Sequence, residues 1–291
     1  MLAIIGTVPD ADFPIVRGPV RLAGGKLEIS GRTMPVNRGT PALLGAAIRT
    51  SEALDGPPVH AFLAGDIGRG DGSRRLYAFL ESHLPQFECA ALTFHYLQPD
   101  VDWHNRVLFA VREMRPRPVL AADAGFMYAA KMSGQAPEYD LFTPDMGELA
   151  FLADEMAPHP FYTRGFILHD DNAPDLIRRA YRHENAARCL LVKGATDYVA
   201  DRGEIVARVD RPSREAMEAI GGTGDTLTGI LSVLCAMGLD PPEAAARAAR
   251  INRRAGALAD PTPATQVPEL IERIPEALEA AENDPLPKGL P

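Results

Sequence analysis

The stretch Gly221-Gly222-Thr223-Gly224-Asp225, followed at once by the helix-forming run TLTGILSVLCAMG, holds the residue types that point most directly to chemistry. Glycines just ahead of a helix leave backbone N–H groups free to face an anion, and the helix dipole adds to the attraction. Gly222, Thr223 and Gly224 are therefore expected to cradle a phosphate or oxyanion. Asp225 falls in the first turn, where the positive end of the helix favours its ionised form and leaves it ready to accept a proton. A base beside an anion hole suits the attack of a hydroxyl on a phosphoryl group. The plainer reading of the same residues is a glycine-rich loop with Asp225 as an ordinary N-cap. The loop lies late in the chain, beyond Lys193-Gly194-Ala195-Thr196, and neither GxGxxG nor GxxxxGK[ST] stands where a Rossmann or Walker loop would need it.

Other candidates each carry two readings. Lys193 at a strand end is a point charge suited to phosphate, or a solvated turn lysine. Gly65 to Arg74 contains four glycines, two aspartates and two arginines between a strand and a helix. It reads either as a cradle for a second phosphate or as a plain loop capped by Asp71 or Ser73. His60, His83, His159, His169 and His183 have no ligand spacing among them, whereas His95 and His104 lie near one strand end as possible substrate contacts. Cys89, Cys189 and Cys235 form no CxxC pair and leave an odd thiol, so buried packing is expected rather than a disulfide or zinc site. Phe161-Tyr162 beside Pro160 reads as packing.

The elements that must position these groups alternate. Short aliphatic runs (Leu2–Ile5, VHAFLA, CAALTF, PVLAAD, DLFTP, RCLLVKG) are separated by segments of helical period, the pattern of an α/β protein with a parallel sheet and crossover helices. Val20–Leu22 and Leu27–Ile29 around Gly24-Gly25 predict a hairpin outside the main sheet. DYVAD and EIVARVD around Arg202-Gly203 predict another at a sheet edge. Helices are expected from Pro41, over RRLYAFLESHL, from Trp103 to about Met114, near Phe126–Lys131, and over Met146–Met156, Thr226–Met237, Pro242–Ala259 and Val267–Ala281. One domain over residues 1–285 is expected, with a flexible tail at 286–291.

A net charge of −9 argues against nucleic acid as the main partner, while a few local donors suffice for a phosphorylated small molecule. No apolar run approaches the roughly 20 residues of a membrane span, and MLAIIGTVPDADF lacks a basic n-region, so a cytoplasmic protein is expected.

LLVKGATDYVAD, then IGGTGDTLTGILSVLCAMG, then PELIERIPEAL resemble the C-terminal part of the nucleotide-dependent NAD(P)H-hydrate dehydratases of the ribokinase-like superfamily. DLFTPDMGELAFL resembles that family's TP-x-x-GE segment, and NRGTPALLGAAIRT its first substrate-side helix. The resemblance implies a three-layer α/β/α fold with a mostly parallel sheet. It also implies ATP or ADP bound along Lys193, Gly194, Ala195, Thr196, Asp197, Gly222, Thr223 and Gly224, with Asp225 on the reacting hydroxyl. Asp123 and Asp145 would face the substrate. Glu148 would either organise Mg²⁺ through water or serve as a helix-cap carboxylate; the ion itself would arrive with the nucleotide. A homo-oligomer is compatible with the superfamily. The sequence departs from the family on the substrate side: Asp145-Met146 replaces His-Pro, Ala121 and Phe126 replace an acidic residue and an Asn, and His95 to Asp100 replaces a Gly-rich loop. Three activities follow as expectations: ATP/ADP-dependent dehydration of hydrated NAD(P)H, a kinase acting on a sugar or vitamin-precursor hydroxyl, and nucleotide binding without catalysis.

Overall fold

The computed structural model describes residues 1–157 and 172–282. His159, Phe161-Tyr162, His169 and the expected 286–291 tail lie outside the described residues. The strands are β1 Leu2–Val8, β2 Val16–Pro19, β3 Arg21–Ala23, β4 Lys26–Ile29, β5 Arg32–Pro35, β6 Val59–Gly65, β7 Ala91–His95, β8 Val119–Ala122, β9 Leu141–Phe142, β10 Cys189–Val192, β11 Asp197–Asp201 and β12 Glu204–Val209. The helices are α1 Thr40–Ala53, α2 Asp71–His83, α3 Val101–Glu113, α4 Phe126–Met132, α5 Met146–Ala153, α6 Ala173–Arg182, α7 Thr223–Ala236, α8 Pro241–Leu258, α9 Val267–Ile271 and α10 Ile274–Glu282.

Nine strands form one sheet in the order β12-β11-β10-β9-β8-β7-β1-β6-β2. The run from β10 to β6 is parallel throughout, while β2 at one edge and β11-β12 at the other are antiparallel. A sheet covered on both faces must have apolar side chains in both directions, and β1 is buried along its whole length. Leu2 and Ile4 enter the core shared with α1, α7 and α8; Ala3 and Ile5 enter the core shared with α2 to α6. These are the three layers the fold class required. On the first side α7 lies against α1 through Gly229, where a Cβ would come within 2.3 Å of the Leu43 carbonyl oxygen.

Both anticipated hairpins form. β3 and β4 join β5 in a separate three-stranded sheet, and Arg202-Gly203 turns β11 into β12 with φ of 49° and 94°. Three elements have no counterpart in the pattern reading: the edge strand β2, the strand β5, and α6, which is capped by Asn172 and has Pro174 in its first turn. The single helix expected over Val267–Ala281 is broken into α9 and α10. Pro275 has no N–H to donate, and its ring would meet the Ile271 carbonyl if the helix ran through. All three cysteines are free and buried. Among the described residues no helix is long and apolar enough to cross a membrane.

Candidate active site

The ends of β7, β8, β9 and β10 and the start of α7 converge on a cleft of about 570 Å³ at the carboxyl edge of the parallel strands, the side on which open α/β sheets take ligands. Gly222 precedes α7 with φ 104°, a conformation open to glycine, and a Cβ there would press on Val267, Ala42 and Arg38 at 3.2–3.3 Å. No side chain caps this helix, and its first internal bond runs from Thr226 N–H to the Gly222 carbonyl. The N–H groups of Thr223, Gly224 and Asp225 thus have no acceptor within the helix.

Asp225 is the third residue of α7, one turn further in than an N-cap. Its Oδ2 accepts the Gly39 N–H at 2.5 Å, just ahead of α1, and its Oδ1 lies 3.0 Å from His95 Nε2 at the end of β7. Burial alone would raise its pKa. The His95 hydrogen bond, the Lys193 ammonium and the Gly39 N–H outweigh that and hold it below the usual carboxylate range. The arrangement can take a proton beside the uncapped start of α7.

Lys193 directly follows β10, with Nζ 3.0 Å from each oxygen of Asp123, which is buried and also accepts from Thr228 Oγ1 (2.7 Å) and the Ala124 N–H (2.8 Å). Desolvation would lower the lysine's pKa, but Asp123, Glu148 and Asp225 reverse this and keep it charged. Asp123, expected on the substrate side, makes this pairing and also lines the cleft. Gly194, Ala195 and Asp197 border the cleft with Lys193, whereas Thr196 is absent from its lining.

Asp197, expected along the nucleotide side, is buried at the edge of the cleft under Arg253 of α8, Nε to Oδ2 2.7 Å, and accepts the Gly194 N–H. Arg253 also donates to the Gly194 and Ala195 carbonyls at 2.8 and 3.0 Å, and the preceding Asn252 joins the Thr223 carbonyl to the Thr226 hydroxyl. Sequence reasoning passed over both residues. The signal was a polar pair interrupting the small-residue face Ala245, Ala249, Gly256 of a helix read only for its aliphatic spacing.

Glu148 closes a capping box with Asp145: it accepts the Asp145 N–H at 2.8 Å, and Asp145 accepts its N–H in return. Its other oxygen accepts the Tyr128 hydroxyl. Burial pushes its carboxyl up to about 7, with Lys193 opposing and Asp123 and Asp145 assisting. With Glu148 committed to the cap and Asp123 to Lys193, these carboxylates do not build a cage for a resident ion. Among the described residues there is no group of three that could hold a metal. The capping box gives Glu148 its helix-cap role, and the same residue also lines the cleft.

Three further expectations meet the structure differently. His104 is a core histidine, 2.8 Å from the Tyr139 hydroxyl, with burial lowering its pKa to about 4, and it reaches no cleft. His95 is likewise fully buried and touches Asp225 in place of a substrate. The Gly65–Arg74 loop is not an empty phosphate cradle. Asp66 fills it with its own carboxylate, accepting the N–H groups of Gly68, Arg69, Gly70 and Ser73 and the Ser73 hydroxyl at 2.8–3.0 Å. Where the family's Gly-rich loop was missing stands Tyr96, with φ 51°. The Thr7 hydroxyl holds its carbonyl at 2.6 Å, and the residue, 41% exposed, lines the cleft.

The family model described as NAD(P)H-hydrate dehydratase, of the carbohydrate-kinase group, matches residues 98–276. An uncharacterized protein of Methanocaldococcus jannaschii is 41% identical over 239 residues, 81% of this chain and 98% of that protein. The bifunctional NAD(P)H-hydrate repair enzyme of Hyperthermus butylicus is 42% identical over 112 residues, 38% of this chain and 20% of that enzyme. The ADP-dependent (S)-NAD(P)H-hydrate dehydratase of Cenarchaeum symbiosum is 32% identical over 137 residues, 47% of this chain and 43% of that enzyme. The two named enzymes are therefore matched over less than half their length. Among solved structures, phosphofructokinase-2 of Escherichia coli with fructose-6-phosphate aligns at TM-score 0.56 and 15% identity, covering 96% of this chain and 100% of that one. The pyridoxal kinase of Staphylococcus aureus with AMP-PCP and pyridoxal aligns at 0.54 and 14%, covering 88% of each. At such identities the likeness is one of fold. The family match spans well over half the residues, and the chain belongs to the NAD(P)H-hydrate dehydratase family of carbohydrate-kinase type, within the ribokinase-like superfamily.

Proposed function

We propose that the cleft binds ATP or ADP with its terminal phosphoryl group over the start of α7, and that Asp225 takes the proton from a hydroxyl that attacks it. The acceptor is hydrated NADH or NADPH. Phosphorylation of its ring hydroxyl makes a leaving group, and loss of phosphate restores the dinucleotide. The observation that carries this reading is the Asp225 carboxylate, fixed in the first turn of α7 beside N–H groups that have no acceptor in the helix. Lys193, Gly194 and Ala195 border the same space, and Lys193 supplies one fixed charge for the phosphates. Mg²⁺ carried by the nucleotide would neutralise phosphate charge. The names of the matched relatives support the dehydratase reading, and so does the family model.

A second reading, a kinase for another small hydroxyl compound, is favoured by one observation: Tyr96 lines the cleft at the position where the dehydratase resemblance called for a Gly-rich loop. The test is incubation with Mg-ATP or Mg-ADP and hydrated NADH, following NADH absorbance and phosphate release, with an Asp225→Asn variant alongside. Recovery of NADH that is lost in the variant supports the dehydratase. Nucleotide binding with hydrated NADH left untouched rejects it and directs the search to other hydroxyl acceptors.

A further inference from the structure

His95 replaces a loop, yet it has a geometry of its own. Its ring is fully buried at the end of β7, with Nε2 3.0 Å from Asp225 Oδ1 and Nδ1 3.0 Å from Thr40 Oγ1. Thr40 fits there because β1 carries Gly6 beside it; a Cβ at Gly6 would lie 2.5 Å from Thr40 Oγ1. A hydroxyl both donates and accepts, so Thr40 satisfies Nδ1 whether or not that nitrogen carries a proton. The Nε2–H is then committed to Asp225 in either form of the ring. His95 supplies a donor to Oδ1 from β7, and Gly39 supplies one to Oδ2 from the start of α1. Two donors from two elements leave the carboxylate no free rotation, and 11% of the Asp225 side chain remains exposed.

We infer that His95 is a positioning residue for Asp225, anchored by Thr40, which holds the carboxylate by Oδ1 so that its free lone pairs meet the acceptor hydroxyl. The inference rests on the reading of Asp225 as proton acceptor and extends it to a residue outside the GGTGD loop. Other groups face the pair. Asp123 at the end of β8 has Oδ2 3.9 Å from His95 Nε2, and the Tyr96 ring lies edge-on to the imidazole with centroids 4.3 Å apart. Lys193 from β10 acts on Asp225 through its charge. Glu148 of α5 lines the cleft, and Arg38 lays its stem on Gly221. Among the contributions that lower the pKa of Asp225 against burial, the His95 hydrogen bond comes first. Without it the carboxylate both loses its fixed orientation and gains affinity for a proton.

The test follows Mg-ATP turnover across pH, with and without hydrated NADH, in His95→Leu, His95→Gln and Asp225→Asn. Alongside it, ¹⁵N-histidine NMR spectra are recorded on the wild type and Asp225→Asn. His95→Leu is expected to lower kcat by about 10- to 100-fold, leave the KM for Mg-ATP within about twofold, and move the acidic limb to higher pH. His95→Gln, whose amide keeps a donor near the Nε2 position, recovers most of kcat and returns the limb. The His95 Nε2 signal shifts in Asp225→Asn. Calorimetric nucleotide affinity confirms that each variant is folded. An unmoved limb in His95→Leu, equal losses in the Leu and Gln variants, or a His95 signal indifferent to Asp225→Asn overturns the inference. Full turnover in Asp225→Asn instead removes the reading of Asp225 as the base, a distinct result.

Discussion

Lys193 Nζ lies 3.0 Å from both oxygens of Asp123, joining the ends of β10 and β8 behind the cleft. Both members are largely buried, with 14% and 1% of their side chains exposed. The carboxylate fixes the position of the ammonium at the edge of the cleft.

Replacing Asp123 with Ala strands the ammonium in the protein interior. Removing one partner of a buried pair costs about 3–5 kcal/mol, so the midpoint of denaturant unfolding is expected to fall by that equivalent. A loss under about 1 kcal/mol would show that Lys193 finds water or another carboxylate instead.

Asp66 provides a test of the filled loop. Its five hydrogen bonds outweigh burial and hold its pKa below the ordinary carboxylate value. A depressed folded pKa contributes stability that is present above the unfolded value and is lost as pH falls through the folded one. Wild type should therefore lose stability on acidification below about pH 4, and Asp66→Ala should show a shallower loss. The variant should also be weaker by about 1–3 kcal/mol at neutral pH, with part of that restored by added formate or phosphate as the vacated N–H groups take up the anion. Thermal melts with and without the anion decide it.

Gly229 fixes how closely α7 approaches α1. The Cβ of Gly229→Ala would fall 2.3 Å from the Leu43 carbonyl oxygen, which is backbone and cannot rotate away. Overpacking of this kind costs about 1–3 kcal/mol. Because Gly39 and Thr40 stand at the start of α1, the variant should also lose activity beyond its loss of stability, read as kcat at a temperature where it is fully folded.

Arg253 braces the loop after β10 through Asp197 and two carbonyls. Arg253→Met keeps the apolar stem but leaves Asp197 buried without its cation. Nucleotide affinity, measured by calorimetry, should fall about tenfold or more, whereas a Met variant that binds like wild type would show that the loop holds its shape alone.

The local sequence determined a good deal. Alternation of aliphatic runs with helical periods called for a parallel sheet with helices on both faces, because β1 and β6 to β10 must bury side chains in both directions. Arg202-Gly203 specified its hairpin, because the turn needs positive φ at both positions. Gly222 to Asp225 announced an uncapped helix start through a local device, glycines ahead of the first turn. Contacts across the fold were not legible. That His95 and Gly39 both end on Asp225, 130 and 186 residues away in the chain, follows from where β7 and α1 stop in space. That Asp123 serves Lys193, Arg253 serves Asp197, and Asp66 fills its own loop depends on which donors lie within about 3 Å of a buried carboxylate. Residue type fixes what a side chain can bond to, and only the packed fold decides which partner reaches it first.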